Sequence, residues 1–162
     1  MKLVAIITAL LLLLCGCSAE ETYETVMDVW EEQPVPEAKS ICVDLPGESA
    51  MPVMESDGGR VYVSSDYEIY VQTMPGGDIG ATIEEMSGHS QESLTVLSTM
   101  QDDAMRYDFV WATAGEGGDL LGRGIILDDG NYHYTMTVLR NADTVQTSTV
   151  VWDAVFSSFR LD

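Results

Sequence analysis

The sequence predicts an α+β domain: an antiparallel sheet of about six strands packed by a long C-terminal helix and a short middle helix. Three observations predict it. Runs rich in Val, Ile, Tyr and Thr recur at hairpin spacing between residues 60 and 139. One interruption carries helix caps at both ends, Asp78 and Gly88. After residue 143 the apolar period changes from two to three or four.

The elements follow in order. Residues 41–45 read as a first short strand ending at Pro46-Gly47, a turn signal. Residues 60–63 and 67–73 alternate around Ser64-Ser65-Asp66 and read as a hairpin, broken by Pro75-Gly76-Gly77. Asp78 caps a helix over residues 79–87 with Ile79, Ile83 and Met86 on its inner face. Four strands follow, at 94–100, 105–113, 120–127 and 132–139, with Asp129-Gly130 as a hairpin turn. From Asp143, Val145, Thr149, Trp152, Val155 or Phe156, and Phe159 form one apolar stripe, with Asn141 or Asp143 as the cap.

The N-terminus carries a different message. Met1 and Lys2 precede an apolar run over residues 3–14, shorter than the ~20 residues of a spanning helix. Leu14-Cys15-Gly16-Cys17 resembles the lipobox of bacterial lipoproteins, which implies a signal peptide over residues 1–16 and a lipid-bearing Cys17 at the mature terminus. Residues 17–40 form an acidic, Pro/Glu-containing tether. Within it Tyr23, Val26, Met27 and Trp30 mark a short helix at 22–31. Residues 41–162 form the globular domain. The chain is thus expected on the cell membrane, lipid-anchored and facing the extracytoplasmic side.

Charge and composition exclude several functions. The formal net charge is −20 and becomes one unit more negative once Lys2 is removed. Such a surface repels phosphates, so no nucleic acid is expected as a partner. With Cys17 lipidated, Cys42 has no cysteine left to pair with, and it reads as a small buried hydrophobe. His89 and His133 lack metal-ligand spacing, and strand parity puts His133 on the solvent side or partly covered. Glu84-Glu85 and Asp102-Asp103 are adjacent carboxylates that do not converge. No serine sits in a nucleophile elbow, and glycines 115, 117, 118, 122 and 124 open no helix. Neither catalytic residues nor a cofactor or metal are expected.

The order of elements from Leu45-Pro46 to Ser158-Phe159-Arg160-Leu161 resembles the PsbP/Mog1-like fold. The most telling part is Tyr132-His133-Tyr134-Thr135-Met136-Thr137-Val138 leading to Trp152-Asp153-Ala154-Val155-Phe156-Ser157-Ser158-Phe159. The chain is also similar to lipoproteins of Gram-positive bacteria. The fold resemblance implies a partner-binding or assembly protein and supplies no catalytic residue.

The segment from Arg106 to Arg123 holds the candidate binding residues: Arg106, Glu116, Gly122, Arg123 and Gly124. Parity puts Tyr107, Phe109 and Trp111 on one face, as core under the C-terminal helix, and Arg106 with Asp108 on the other. Glu116 and Arg123 could pair across the turn. Gly122 and Gly124 remove side chains from the next strand, which would leave a shallow depression. The leading expectation is a non-enzymatic binding or assembly module with a protein partner. The alternative is a lipoprotein holding a small molecule or envelope polymer in a sheet–helix pocket.

Overall fold

The computed structural model describes residues 34–45, 51–64, 67–115, 118–143 and 149–162. Its contacts divide the chain into Met1–Val35 and Pro36–Asp162, and the second unit carries every element below. Cys17, the helix expected at 22–31 and Glu116 lie outside the described residues.

Nine strands and two helices are described: β1 (Ile41–Cys42), β2 (Met54–Ser56), β3 (Gly59–Val63), β4 (Tyr67–Pro75), α1 (Ile79–Ser87), β5 (Val96–Gln101), β6 (Ala104–Gly115), β7 (Gly118–Asp128), β8 (Tyr132–Asn141), α2 (Thr149–Ser158) and β9 (Arg160–Leu161). A single 3-10 turn, Gln91–Ser93, precedes β5. Seven strands form one antiparallel sheet in the order β2-β3-β4-β8-β7-β6-β5. The fold is α+β, with one more strand in this sheet than expected. The addition is β2, an exposed three-residue edge.

Both faces of the sheet are buried, each beneath its own helix. Ile83 and Met86 of α1 pack on Phe109, Trp111 and Ile126. On the opposite face Trp152, Val155, Phe156 and Phe159 pack on Ile69, Ile125, Tyr134, Met136 and Val138. The aromatic row of β6 therefore lies under α1, not under the C-terminal helix. Two-sided burial also explains the strand sequences. In β8 six consecutive residues from His133 to Val138 are buried, because neither parity faces water.

Local chemistry fixes the helices. The Asp78 carboxylate accepts the Ala81 N–H at 2.8 Å, and Gly88 closes α1 in the left-handed region at φ 74°. The C-terminal helix is short: the described part is Thr149–Ser158, and residues 144–148 lie outside the description. The residues that would receive a cap from Asn141 or Asp143 lie outside the described residues. Asn141 closes β8, and its side chain accepts the Asp143 N–H at 2.9 Å within a turn. Ten residues carrying β-branched Thr149, Val150 and Val151 are marginal as a free helix. The burial of Trp152, Val155, Phe156 and the following Phe159 stabilises it, at ~1.5–3 kcal/mol each as an upper estimate.

A second, two-stranded sheet joins the ends of the body. Ile41 pairs with Leu161 and Cys42 with Arg160, and the Asp162 N–H donates to Ser40 O at 3.0 Å. Neither the pairing nor β9 was expected from the sequence. Lys39 N–H donates to the Tyr134 hydroxyl at 2.9 Å, so the ordered body begins before residue 41.

Candidate functional site

The candidate site is a groove between α2 and the sheet. Three strands supply its floor through one parity: Val110 of β6, Leu121 and Arg123 of β7, and Val138 and Arg140 of β8. One wall is the flank of α2, where Trp152, Asp153 and Phe156 recur at helical spacing. The groove holds about 360 Å³, within the range of small-molecule sites. Its mouth is apolar: Val110 is 60% exposed and Leu121 38%.

Arginines at inward-facing strand positions are what distinguish it. The Arg123 guanidinium lies over the Phe156 ring, 3.9 Å from the centroid, and Arg140 lies over Trp152 at 4.9 Å. Arg123 also reaches Asp153 at 3.3 Å and Asp108 at 3.5 Å. Its expected partner Glu116 lies outside the described residues. The register sets Arg123 opposite Val110, five rungs from the Gly115–Gly118 closure of the hairpin.

Arg106 serves the fold beside the groove. It makes a bidentate pair with Asp108 (2.6 and 3.0 Å), donates to Gln101 Oε1 at 2.8 Å and to Phe156 O at 3.1 Å. The last contact satisfies a carbonyl near the C-terminus of α2, where cationic donors are favourable.

Gly122 and Gly124 face the other helix, and they leave no depression. A Cβ on Gly122 would lie 2.1 Å from Trp111 Cε2, and one on Gly124 2.5 Å from Phe109 Cζ. The two rings, stacked at 5.5 Å between centroids, fill the space the glycines vacate. Side-chain removal here makes room for core aromatics, as in aromatic rescue of strand glycines.

The remaining titratable groups are accounted for structurally. His133 is buried under α1, not solvent-facing. Gly77 N–H donates to its Nε2 at 3.4 Å, and its Nδ1 lies 2.8 Å from Thr82 Oγ1. Asp128 lies 3.8 Å from Nε2. Burial alone would raise the Asp129 carboxyl, but N–H groups of Asn131 and Tyr132, the Tyr134 hydroxyl and the charge of Lys39 outweigh it and hold it below the usual range. These bonds tie the β7–β8 turn, with Gly130 at φ 89°. Cys42 is half-buried, and its thiol donates to Asp162 Oδ2 at 2.8 Å, which raises its pKa. Tyr70 donates to Glu68 at 2.6 Å and is pushed up to about 12.

Among the described residues no group of three His, Cys, Asp or Glu side chains could hold a metal ion. A larger hollow, about 460 Å³, lies between residues 38–41 and β2–β3. Its guanidinium, Arg60, is committed to Ile41 O at 3.0 Å.

Of the sequence candidates, the structure brings Arg123 and Gly122 to the lining of the groove and Arg106 beside it, while the Cβ direction of Gly122 and Gly124 is toward the opposite face. Arg140, Trp152, Asp153 and Phe156 were missed. Their signal was present: Arg140 shares the parity of Tyr134, Met136 and Val138, which is an inward position for an arginine. A scan against protein-family models and a search of curated proteins find no match to this chain.

Proposed function

We propose that the chain is a lipid-anchored, extracytoplasmic binding module without catalytic chemistry, which captures a ligand in the groove between α2 and the sheet. Cys17 carries the anchor after removal of residues 1–16, and residues 17–40 hold a PsbP/Mog1-like body off the membrane. The lipobox-like Leu14-Cys15-Gly16-Cys17 supports the anchor, and the order of strands and helices supports the fold reading.

The observation that carries the function is the concave groove of about 360 Å³ between helix and sheet. A flat apolar patch would favour a protein partner; a concavity with guanidiniums at its walls favours the smaller ligand. Two experiments test the reading. Cys17→Ala should abolish incorporation of labelled fatty acid and leave an uncleaved precursor; a cleaved, lipidated variant would refute the anchor. A photo-crosslinking residue at Val110 or Leu121, in native membranes, should yield adducts of small mass, with none at exposed Met51. A discrete protein adduct at the groove positions would overturn the small-ligand reading.

A further inference from the structure

The two ends of the seven-stranded sheet are finished differently. An edge strand presents unpaired N–H and C=O groups, a template for a further strand, and proteins blunt such edges with shortness, charge, proline or a cover. β2 is blunted: it has three residues, and its central one is Glu55. β5 is not. Its six residues, Val96 to Gln101, include no charge and no proline, and among the described residues it pairs with β6 alone. Leu97 to Met100 are all exposed, with Leu97 at 64% and Met100 at 65%. Among the described residues no backbone hydrogen bond outside this ladder involves Val96 to Gln101.

The turn fixes which groups are free. Asp102 and Asp103 join β5 to β6, with Gln101 and Ala104 as the closing pair. In a two-residue hairpin that pair is hydrogen-bonded, and bonded and non-bonded pairs alternate along the ladder. Counting back, Leu97, Thr99 and Gln101 bond to β6, while Val96, Ser98 and Met100 point their N–H and C=O groups away from it. The free groups lie along ~20 Å of regular strand.

The surroundings of the edge specify its partner. From Ser90 to Met105 there is no Lys, Arg or His, while exposed Glu92 stands before the strand and exposed Asp102 and Asp103 after it. A second copy fits badly. Antiparallel pairing would set Asp102 and Asp103 of one copy towards the Glu92 end of the other, between chains that each carry −20. An extended segment with a basic residue at either end and a β-branched middle fits in both directions, because the edge is uncharged along its length and acidic at both ends.

We infer that β5 is a docking edge for a partner protein, which adds an extended segment of about five to seven residues, flanked by Lys or Arg, as a further strand of the sheet. Main-chain hydrogen bonds supply the affinity, and the acidic ends set the register. This surface goes beyond the groove and needs neither α2 nor the groove ligand.

The probe is the fluorophore-labelled peptide Lys-Val-Thr-Val-Thr-Val-Lys, N-methylated at its valines. Methylation there leaves one hydrogen-bonding edge, so the peptide can add to a sheet but cannot stack on itself. It is titrated into the full-length chain in phosphatidylcholine nanodiscs at physiological ionic strength, read by fluorescence anisotropy with empty nanodiscs subtracted. A control of equal charge is N-methylated at its threonines as well. General attraction to a chain of charge −20 binds both alike, so the difference between them is diagnostic. The expected result is saturable one-site binding of the probe, weakened about tenfold or more by the second methylation and about tenfold by Glu in place of both Lys. Ser98→Pro removes an outward N–H and no ladder bond, and it should weaken binding about tenfold. Leu97→Lys, at an exposed position, should weaken it about fivefold with the ladder intact, and it keeps the test open where the proline variant fails to fold. Met54→Lys on β2 should leave binding within about twofold of the parent. Equal affinity for the two peptides, indifference to both β5 variants, or no saturable binding of the probe overturns the inference. Dimers of the chain that Ser98→Pro dissolves, seen by analytical ultracentrifugation with no peptide bound, would give the edge to a second copy and overturn it too.

Discussion

Gly122→Ala isolates the packing device at the centre of the sheet. The added Cβ would stand 2.1 Å from Trp111 Cε2, 2.4 Å from Cζ2 and 2.6 Å from Cδ2. A rigid indole cannot yield by rotating a terminal atom, so the whole ring must move. Trp111 is 6% exposed and, as a Trp, buries on the order of 200 Å², or ~5 kcal/mol at 25 cal/mol/Å². Partial displacement forfeits about half of that, with overpacking strain of ~1–3 kcal/mol as the alternative response. Reduced unfolded-state entropy returns only ~0.4–1 kcal/mol. The net expectation is a loss of about 1.5–2 kcal/mol. In urea, with a slope near 2 kcal/mol/M for a domain of this size, the midpoint should fall by about 1 M. The assay is urea unfolding followed by far-UV circular dichroism, repeated in a Trp111→Val background where the ring is absent. There Gly122→Ala should cost less by at least ~1 kcal/mol. A single variant within ~0.5 kcal/mol of the parent, or equal losses in both backgrounds, would refute the seating of Trp111 over Gly122. Gly77→Ala is the contrasting control. Nothing lies within 4 Å of its Cβ, and it should be neutral or stabilise by ~0.4–1 kcal/mol.

Other perturbations follow from the same contacts. Arg106→Ala leaves the Phe156 carbonyl without its donor and Asp108 with only the 3.5 Å contact to Arg123, and urea unfolding should show a loss on the order of 3 kcal/mol. Asp129 has a folded pKa below its unfolded value, so its contribution is present above about pH 4 and is lost as pH falls through the folded value. The stability advantage of the parent over Asp129→Ala, measured in urea at several pH values, should therefore shrink from pH 5 towards pH 2. Tyr70 has the opposite sign: its pKa is raised to about 12, so its contribution is full below about pH 10 and is lost as pH rises through 12. Absorbance titration at 295 nm should show this late phenol, and Glu68→Gln should bring it down.

Much of the fold was legible because its signals are local. Asp78 and Gly88 bracket α1, and both caps are made as the sequence implies. The long central strands could be read from β-branched and aromatic runs. The assignment of faces failed for a physical reason. A parity argument sorts residues into two sets but does not say that both sets are buried. The uninterrupted apolar run Ile125-Ile126-Leu127 was the available sign that both were. The β1–β9 pair was illegible, since two-residue strands have no period and Ile41 and Leu161 are distant in sequence. The C-terminal stripe was read as one long helix, although its final Phe159 lies beyond the helix and leads into β9. At the groove, Arg123 was found by its place beside glycines that turn out to serve the other face. Arg140 and the α2 flank were missed because their convergence depends on how the helix crosses the sheet, which no local pattern encodes.

The pairing of β1 with β9 also has a mechanical meaning. Under the proposed anchoring, a pull between membrane and body reaches the Lys39 N–H bond to the Tyr134 hydroxyl and then a ladder of two rungs. Short ladders open at a small fraction of global stability. The seven-stranded sheet has its own, longer ladders and does not depend on this pair. The clasp thus acts as a fuse in the leash, yielding first and sparing the binding surface.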